Sequence, residues 1–558
     1  MSERKSTVQS IWREYAKGKS YNNSIDLYTT VKTNENMFVG NQWEGLKAPD
    51  VEKPTLNFIK RVVTYFVSMI VSDDIGIEIT PFLRSSEGDK EAEILRDAVL
   101  RVMERNKIKA QLRTAIRNCA VDGDACLYFY FDTEAPSGQL VKGDIVSEVI
   151  DNTNVIFGNP YVWDVQKQPY LILVRRRPLQ TLQAEAKRLG CADWEKIRPD
   201  SDSDYVNEDK DNGNEMVTEL LRFSKVRGKN GERTVHFSRS TENVMLKEQT
   251  DTGYTLYPLA YFTWETVKNS YHGVSPITYI KHNQIAVNRL WAMVLYHCKN
   301  TAFPKIVYDK SKFPEGWSNA PGRAIAMTGN VNDAFTARTT AAEFSSQVLS
   351  VVDSTISMTR DFLGASDAAL GNVKAENTSA IIAVQKASSA PLELQRQAFY
   401  QFAEDCVRVI ADIMVQNYGT RIVQIEEEPL VPELPGQAGA PPRRTETAVD
   451  FGKFNFGVLD INVSVGQASY WSEMMQLQTL DNLFASGVLS DAEIYIESIP
   501  DGVIRNKSEI LTAIRKRKEE AALMQQIPPN PGAASANLTD NGVLQAERRV
   551  EQLMQNGG

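Results

Sequence analysis

The sequence lacks the short motifs that mark the common classes of catalytic and metal site. It has no GxxxxGK(S/T) phosphate loop, which excludes a Walker-type ATPase. His272, His282 and His297 do not have the i, i+4 spacing of helical metal ligands. The stretch from Gly364 to Ala368 lacks the last glycine of a nucleophile elbow and follows a helical pattern, so it predicts a turn. We therefore expect no catalytic residue, no metal site and no cofactor, hence a non-enzymatic protein.

Long apolar runs and paired cysteines are also missing. The most hydrophobic stretch, 58–79, is interrupted by the charged residues Lys60, Arg61, Asp73 and Asp74, so it does not predict a membrane span. The first residues have neither an apolar core nor a small-residue cleavage site, and they predict no secretory signal. The five cysteines form no CxxC pair, which favours free thiols in a reducing compartment.

The charge balance is slightly acidic, with 62 Lys and Arg against 71 Asp and Glu and a net charge of −9. This balance argues against a protein that coats nucleic acid tightly, because such binding needs dense Lys and Arg. It is compatible with a protein that surrounds DNA, since a negative wall lets a polyanion slide. Paired carboxylates cannot be singled out among so many acidic residues, so a hydrolase is unsupported but not excluded.

The first half of the chain predicts helices followed by strands. Helical patterns cover 7–43, 56–72 and 87–121. Short segments bounded by Gly, Asn, Asp or Pro predict strands throughout 126–265, one of them at 154–165, with a single helix at 179–189. The acidic stretch 193–215 predicts an exposed loop. This mixture indicates an α+β fold.

A helix predicted at 275–299 carries two adjacent apolar stripes. Ser275 and Pro276 provide an N-cap and a first helical residue. The first stripe comprises Ile277, Ile280, Gln284, Val287, Trp291, Val294 and Cys298, and the second Asn283, Ala286, Leu290, Met293 and His297. Such a helix must be covered on more than one side, either inside one large domain or between identical neighbours.

A second helix, predicted at 343–363, has one stripe at strict four-three spacing. That stripe comprises Phe344, Val348, Val351, Thr355, Met358 and Phe362. The helix ends at Gly364, which favours a C-cap. The residues between the two helices, 301–342, are rich in Pro and Gly and predict short strands and turns.

A long helical pattern, 378–418, is interrupted at Pro391, and a proline kinks a helix. The residues before the proline are mostly small: Ser379, Ala380, Ala383, Ala387, Ser388, Ser389 and Ala390. Because small side chains let helices approach closely, this half suits a crowded axis. A strand at 454–466 and short helices at 471–486, 491–498 and 507–526 follow, and the tail from Pro528 predicts disorder.

This order of elements resembles the portal proteins of tailed bacteriophages. The similarity is strongest in YPLAYFTWE and GVSPITYIKHNQIAVNRL (256–290), RDFLGASDAALGNVKAENTSAIIAVQ (360–385) and DINVSVGQASYWSEMMQLQTLDNLFASGVLS (460–490). It covers most of the chain, through diffuse rather than invariant motifs. The nearest portals are those of siphophages of the SPP1/HK97 lineage.

The resemblance implies the phage portal fold and a dodecameric ring. Its parts would be an N-terminal helical arm (1–44), a wing (45–270, with return strands and loop at 419–468), stem helices (271–300 and 343–363), a β-containing clip (301–342), a tunnel loop (364–377), a kinked tunnel helix (378–418), a helical crown (469–526) and a disordered tail (527–558). It assigns to the DNA channel Gly371, Asn372, Lys374, Asn377, Ser379 and Lys386, and to the clip Lys305, Lys310, Lys312, Trp317 and Arg323. Pro391 would form the kink.

The implied function is a channel at one capsid vertex for double-stranded DNA packaging, retention and ejection. Its partners would be transiently and non-specifically bound DNA, the terminase large subunit, a head–tail adaptor, and the major capsid and scaffolding proteins. The protein would assemble in the host bacterial cytoplasm and reside in the virion. Two other hypotheses stay open: a phage minor capsid or adaptor component without a channel, and a multidomain cytoplasmic enzyme with an unrecognised site.

Overall fold

The computed structural model describes 7–47, 51–71, 77–81, 86–139, 141–200, 215–228, 231, 233–302, 306–313, 326–330, 335–338, 347–364, 390–427, 443–454 and 459–462, with single residues and short stretches between 479 and 514. The chain divides into two units. The first comprises Met1–Ile425 and Thr445–Trp471, and the second comprises Glu426–Arg444 and Ser472–Gly558. The mixture of helices and small antiparallel sheets confirms the predicted α+β class.

The chain begins with two helices, as the pattern over 7–43 predicts. They are α1 (Val8–Ser24) and α2 (Leu27–Val39). Thr7 caps α1, because its side chain accepts a hydrogen bond from the backbone N–H of Ser10. A left-handed residue, Asp26 at φ 53°, separates the two helices. Ile11 and Tyr15 on α1 are buried against strands that follow later in the chain.

Three further helices build the largest core: α3 (Phe58–Val71), α4 (Ser86–Arg105) and α5 (Ile108–Asp122). The sequence predicted one continuous helix over 87–121, and this prediction is wrong at one residue. Lys107 adopts φ 52°, which ends α4 and starts α5 as a separate helix. Gly123, at φ 103°, then ends α5 and turns the chain into the first sheet.

Two antiparallel sheets follow. Apart from β1 (Glu78–Pro81), which lies between α3 and α4 and belongs to neither sheet, the strands are β2 (Asp124–Asp132), β3 (Asp144–Ile150), β4 (Val155–Phe157), β5 (Tyr170–Pro178), β6 (Met216–Arg227), β7 (Arg233–Ser240), β8 (Met245–Asp251) and β9 (Leu259–Thr263), with helix α6 (Leu179–Arg188) after β5. One sheet has the order β3-β2-β9 and the other runs β4 to β8 in sequence order. The predicted strand at 154–165 is wrong after Phe157, because Gly158, Asn159 and Pro160 turn the chain.

A pair of helices frames a short β ribbon. Helix α7 (Pro276–Ala302) leads into β10 (Ile306–Tyr308), which pairs antiparallel with β11 (Phe335–Arg338) before α8 (Gln347–Phe362). The Asn283 amide of α7 donates to the Thr359 hydroxyl of α8 at 2.9 Å. The predicted arrangement of helix, small β insertion and returning helix is therefore confirmed in the residues described.

The last described elements complete the core. A 3-10 turn (Ala390–Leu392) opens α9 (Glu393–Asn417), and β12 (Thr420–Glu427), β13 (Arg443–Asp450) and β14 (Leu459–Asn462) follow. β14 pairs antiparallel with β1, which brings the returning chain back beside the early helices. Residues 479–484 and 495–496 are helical, within two of the predicted helices. The core joins α3, α4 and α5 to β2, β9, α7 and α9.

Candidate functional site

Helix α7 starts from a buried hydrogen-bonded junction. The Ser275 hydroxyl donates to the carbonyl of Ala120 at 2.7 Å and accepts from the N–H of Ile277 at 3.1 Å, so the predicted N-cap is confirmed. Just before it, His272 and Asp124 form a buried pair with 2.7 Å between Nδ1 and Oδ2. The other carboxylate oxygen of Asp124 accepts from the backbone N–H of Gly273 at 2.6 Å. The start of α7 is thereby fixed to the end of α5 and the start of β2.

The histidines do not converge. His272 is buried in this junction, whereas His282 and His297 lie further along α7. Within the described part of the chain, no group of three or more His, Cys, Asp or Glu side chains is arranged to hold a metal ion. The sequence grouped His272 with His282 and His297 and gave no sign of its partner Asp124, which lies 148 residues earlier.

The first stripe of α7 is buried in the core over its first half, whereas Trp291 is half-buried and Cys298 is exposed. Ile277, Ile280 and Val287 pack there, and the polar member of the stripe, Gln284, is fully buried. The Gln284 side-chain oxygen accepts from the N–H groups of Phe58 and Ile59 at 3.2 and 3.4 Å, and its amide donates to the carbonyl of Leu56 at 2.7 Å. Gln284 therefore satisfies backbone groups at the start of α3.

The second stripe of α7 is only partly covered in the single chain, where Asn283 bonds to α8 and Leu290 packs against the core. Met293 is 62% exposed, and Ala286 is also exposed. Leu290 and His297 are half-buried. Two exposed tyrosines, Tyr279 and Tyr296, extend the uncovered apolar surface along α7. Packing inside one domain therefore explains the start of the first stripe of α7, but not the exposure of Met293, Tyr279 and Tyr296.

Helix α8 also has one buried face and one exposed apolar face, and its most exposed residues are more exposed than those of α7. Its regular stripe is turned away from the core: Met358 is 71% exposed and Phe362 is 83% exposed, while Val351 is also exposed. The buried residues of α8, Val352 and Thr359, lie on a different face. Phe344 lies outside the described residues. A regular apolar stripe with this exposure is typical of a surface that another chain covers.

The ends of the segment between α8 and α9 meet. Gly364 follows α8 at φ 72°, as the predicted C-cap requires. A Cβ atom at Gly364 would lie 2.6 Å from Cγ of Pro391, so these two residues are in direct contact. Pro391 stands in the 3-10 turn that opens α9. The predicted channel residues Gly371, Asn372, Lys374, Asn377, Ser379 and Lys386 lie outside the described residues.

The β insertion carries part of the predicted basic set. Lys310 and Lys312 stand in a 3-10 turn (Lys310–Lys312) that Asp309 caps, with its carboxylate accepting from the N–H and hydroxyl of Ser311 at 3.0 and 2.6 Å. These hydrogen bonds lower the pKa of Asp309. Lys310 is exposed. Lys305, Trp317 and Arg323 lie outside the described residues.

A comparison with known protein families shows which family has this sequence pattern. The model of the Phage P22-like portal protein family matches residues 19–556, nearly the whole chain. The chain belongs to this family. It is a portal protein of a tailed bacteriophage, a structural component of the virion that serves DNA packaging. No curated protein matches the chain.

Family membership confirms the resemblance to tailed-phage portal proteins, and the family that matches is the P22-like one. It implies a ring oligomer associated with the capsid. Of the helices described, none has the length and apolar character needed to cross a membrane. The family favours a portal over the two other hypotheses, a channel-free phage component and an enzyme.

Proposed function

We propose that this portal protein forms a ring in which the exposed stripe of α8 packs against the exposed apolar residues of α7 in the next copy, around a channel for double-stranded DNA. The exposure of Met358 and Phe362 carries this proposal. A ring closes through contacts between two different surfaces of each copy, and the helix pair offers two such surfaces. Covering these surfaces stabilises the ring, because burial of apolar surface contributes about 25 cal/mol of free energy per Å².

The substitution Phe362→Glu tests this contact. It places a charge in the proposed interface, and because Phe362 is 83% exposed the fold of one chain does not need it. We expect electron microscopy and mass photometry to show rings for the unmodified protein and single chains for the variant, with unchanged circular dichroism. Leu189→Glu, at an exposed leucine after α6, is the control and should leave the ring intact.

Two results would count against the proposal. Rings that persist in Phe362→Glu would show that α8 is not part of the contact between copies. A monomer or dimer under all conditions for the unmodified protein would contradict the ring itself. The same images count the subunits, for which we propose twelve.

The channel would be lined by the segment that leaves at Gly364 and returns at Pro391. Contact between these residues supports this, because both ends of the segment then lie together where α8 ends and α9 begins. The residues proposed to line the channel are Gly371, Asn372, Lys374, Asn377, Ser379 and Lys386. An overall charge of −9 keeps DNA contacts weak enough for the duplex to slide.

The β insertion would dock the packaging motor and later the adaptor. It joins the ends of α7 and α8 that lie farthest from the junction at Ser275, so it can reach beyond the rest of the subunit. Exposed Lys310 offers a cation there for an acidic partner surface, and we propose that Lys305, Lys312, Trp317 and Arg323 contribute. We propose as partners the terminase, the adaptor, and the capsid and scaffolding proteins. Retention and ejection of the genome are the later functions that we propose.

A further inference from the structure

A small pocket away from the helix pair has an excess of positive charge. It lies between α4, the loop before β3, the start of β12 and Phe451, with a cavity volume of about 50 Å³. Since one water needs roughly 10–15 Å³ by this measure, the pocket has room for a group of a few heavy atoms. Three arginines line it, Arg101, Arg105 and Arg421, against one acidic residue, Asp144.

Asp144 cannot neutralise all three arginines, because it is already engaged. One carboxylate oxygen pairs with Arg105. The other accepts from the Tyr418 hydroxyl at 2.5 Å and from the N–H of Ile145 at 2.8 Å. Burial, together with the hydrogen bond to Asp144, raises the pKa of Tyr418, so its phenol stays neutral and adds no negative charge.

Arg421 is the unusual member of the group. It is 5% exposed, and among the described residues no carboxylate pairs with it. Its guanidinium donates to three backbone carbonyls, those of Tyr418, Val141 and Gly143, at 3.2, 2.9 and 2.9 Å. These bonds use three of its five N–H donors. A buried charge held only by neutral groups is costly, and an anion beside it removes that cost.

We propose that this pocket binds a small oxyanion, a phosphate or a carboxylate, between Arg421 and the two arginines of α4. The remaining N–H donors of Arg421 and the Nε and Nη2 groups of Arg105 supply hydrogen bonds, and Arg101 adds charge at the exposed side. Arginine suits this role, since its fork of donors matches two oxygens of one anion. Ala98, Val102 and Val423 form an apolar wall, which strengthens the interaction by excluding water.

Thermal unfolding and equilibrium dialysis of the full chain test the proposal. With inorganic phosphate or acetate against chloride at equal ionic strength, we expect a Tm rise of about 2 °C with at least one oxyanion. Dialysis with labelled phosphate or acetate should find one bound anion per subunit. A response to phosphate alone assigns a tetrahedral anion, and a response to acetate alone assigns a carboxylate.

Arg101→Gln provides the matched variant, because Arg101 is exposed and its loss leaves the fold intact. It should weaken the binding of the anion at least fivefold and remove most of the Tm rise. Arg113→Gln, at an exposed arginine of α5 outside the pocket, should behave like the unmodified protein. An equal Tm in all three salts, or a rise that Arg101→Gln leaves unchanged, would overturn the proposal.

Discussion

Single residues with unusual backbone or burial determine how the segments of this portal protein join. Gly364 is the clearest case, because its φ of 72° and its contact with Pro391 both require the absence of a side chain. We expect Gly364→Ala to lower the free energy of unfolding by about 2–4 kcal/mol, since left-handed strain and overpacking add. Urea unfolding followed by circular dichroism measures the change.

Gly190→Ala is a matched control for this substitution. Gly190 has nearly the same backbone angle, φ 77°, but no atom lies within 4 Å of the site of its Cβ. We therefore expect Gly190→Ala to show only the backbone strain, about 1 kcal/mol. Equal losses in the two variants would mean that contact between Gly364 and Pro391 contributes nothing to the fold.

Asp122, at the end of α5, makes the stability depend on pH. Burial, then the nearby Glu35, raises the pKa of Asp122 to about 8, and one of its carboxyl oxygens is buried without a partner. In the unfolded chain the carboxyl ionises near pH 4. Between these values the folded state holds the extra proton, so the free energy of unfolding falls as pH rises from about 4 to about 8.

Substitution of Asp122 by Asn should remove this dependence. We expect Asp122→Asn to gain more than about 1 kcal/mol over the unmodified protein at pH 8, and little at pH 4. Tm values at the two pH values measure the difference. Asp361→Asn, at an exposed carboxyl of α8, serves as the control, and an identical pH dependence in Asp122→Asn and the unmodified protein would refute the assignment.

At the scale of elements, Gln284 links two helices that lie far apart in sequence. Gln284→Leu would leave the N–H groups of Phe58 and Ile59 without their side-chain acceptor in a buried site. We expect a loss of about 2 kcal/mol and faster amide hydrogen exchange at the first turn of α3. Gln397→Leu, at an exposed position of α9, should change stability by less than about 0.5 kcal/mol. Unaltered exchange at Phe58 and Ile59 would contradict this role.

The sequence predicted the elements better than their contacts, for a physical reason. Ser275 caps its own helix through its hydroxyl and Gly364 acts through its own backbone, so the local pattern was sufficient to assign both. The kink at Pro391 stays a prediction, since residues 365–389 lie outside those described. Gln284 was placed in an apolar stripe, and its role depends on a helix 226 residues earlier. The pairing of His272 with Asp124 likewise depends on tertiary structure, so no local spacing could indicate it.

At the scale of the whole molecule, the exposed apolar stripes of α7 and α8 raise the question of what covers them. The spacing of Val351, Met358 and Phe362 predicted an apolar face on α8, and for α7 two explanations were open, packing inside one domain or between identical neighbours. The structure buries the first half of the first stripe of α7 and leaves Met358 and Phe362 of α8 exposed, which favours a neighbouring copy as the cover of α8. The sequence of one chain cannot make this choice, because the same periodicity serves a core and an interface.

The final prediction separates ring formation from DNA passage. The proposed contact between copies uses α7 and α8, whereas the proposed channel lining belongs to the segment between Gly364 and Pro391. Deletion of 368–374 should therefore leave rings intact in electron micrographs and reduce the amount of nuclease-protected DNA in a packaging assay. An equal deletion within the acidic stretch, 204–210, should affect neither. Full packaging by rings that lack 368–374 would show that this part of the segment does not act on the DNA, whereas loss of the rings would place it in the contact between copies.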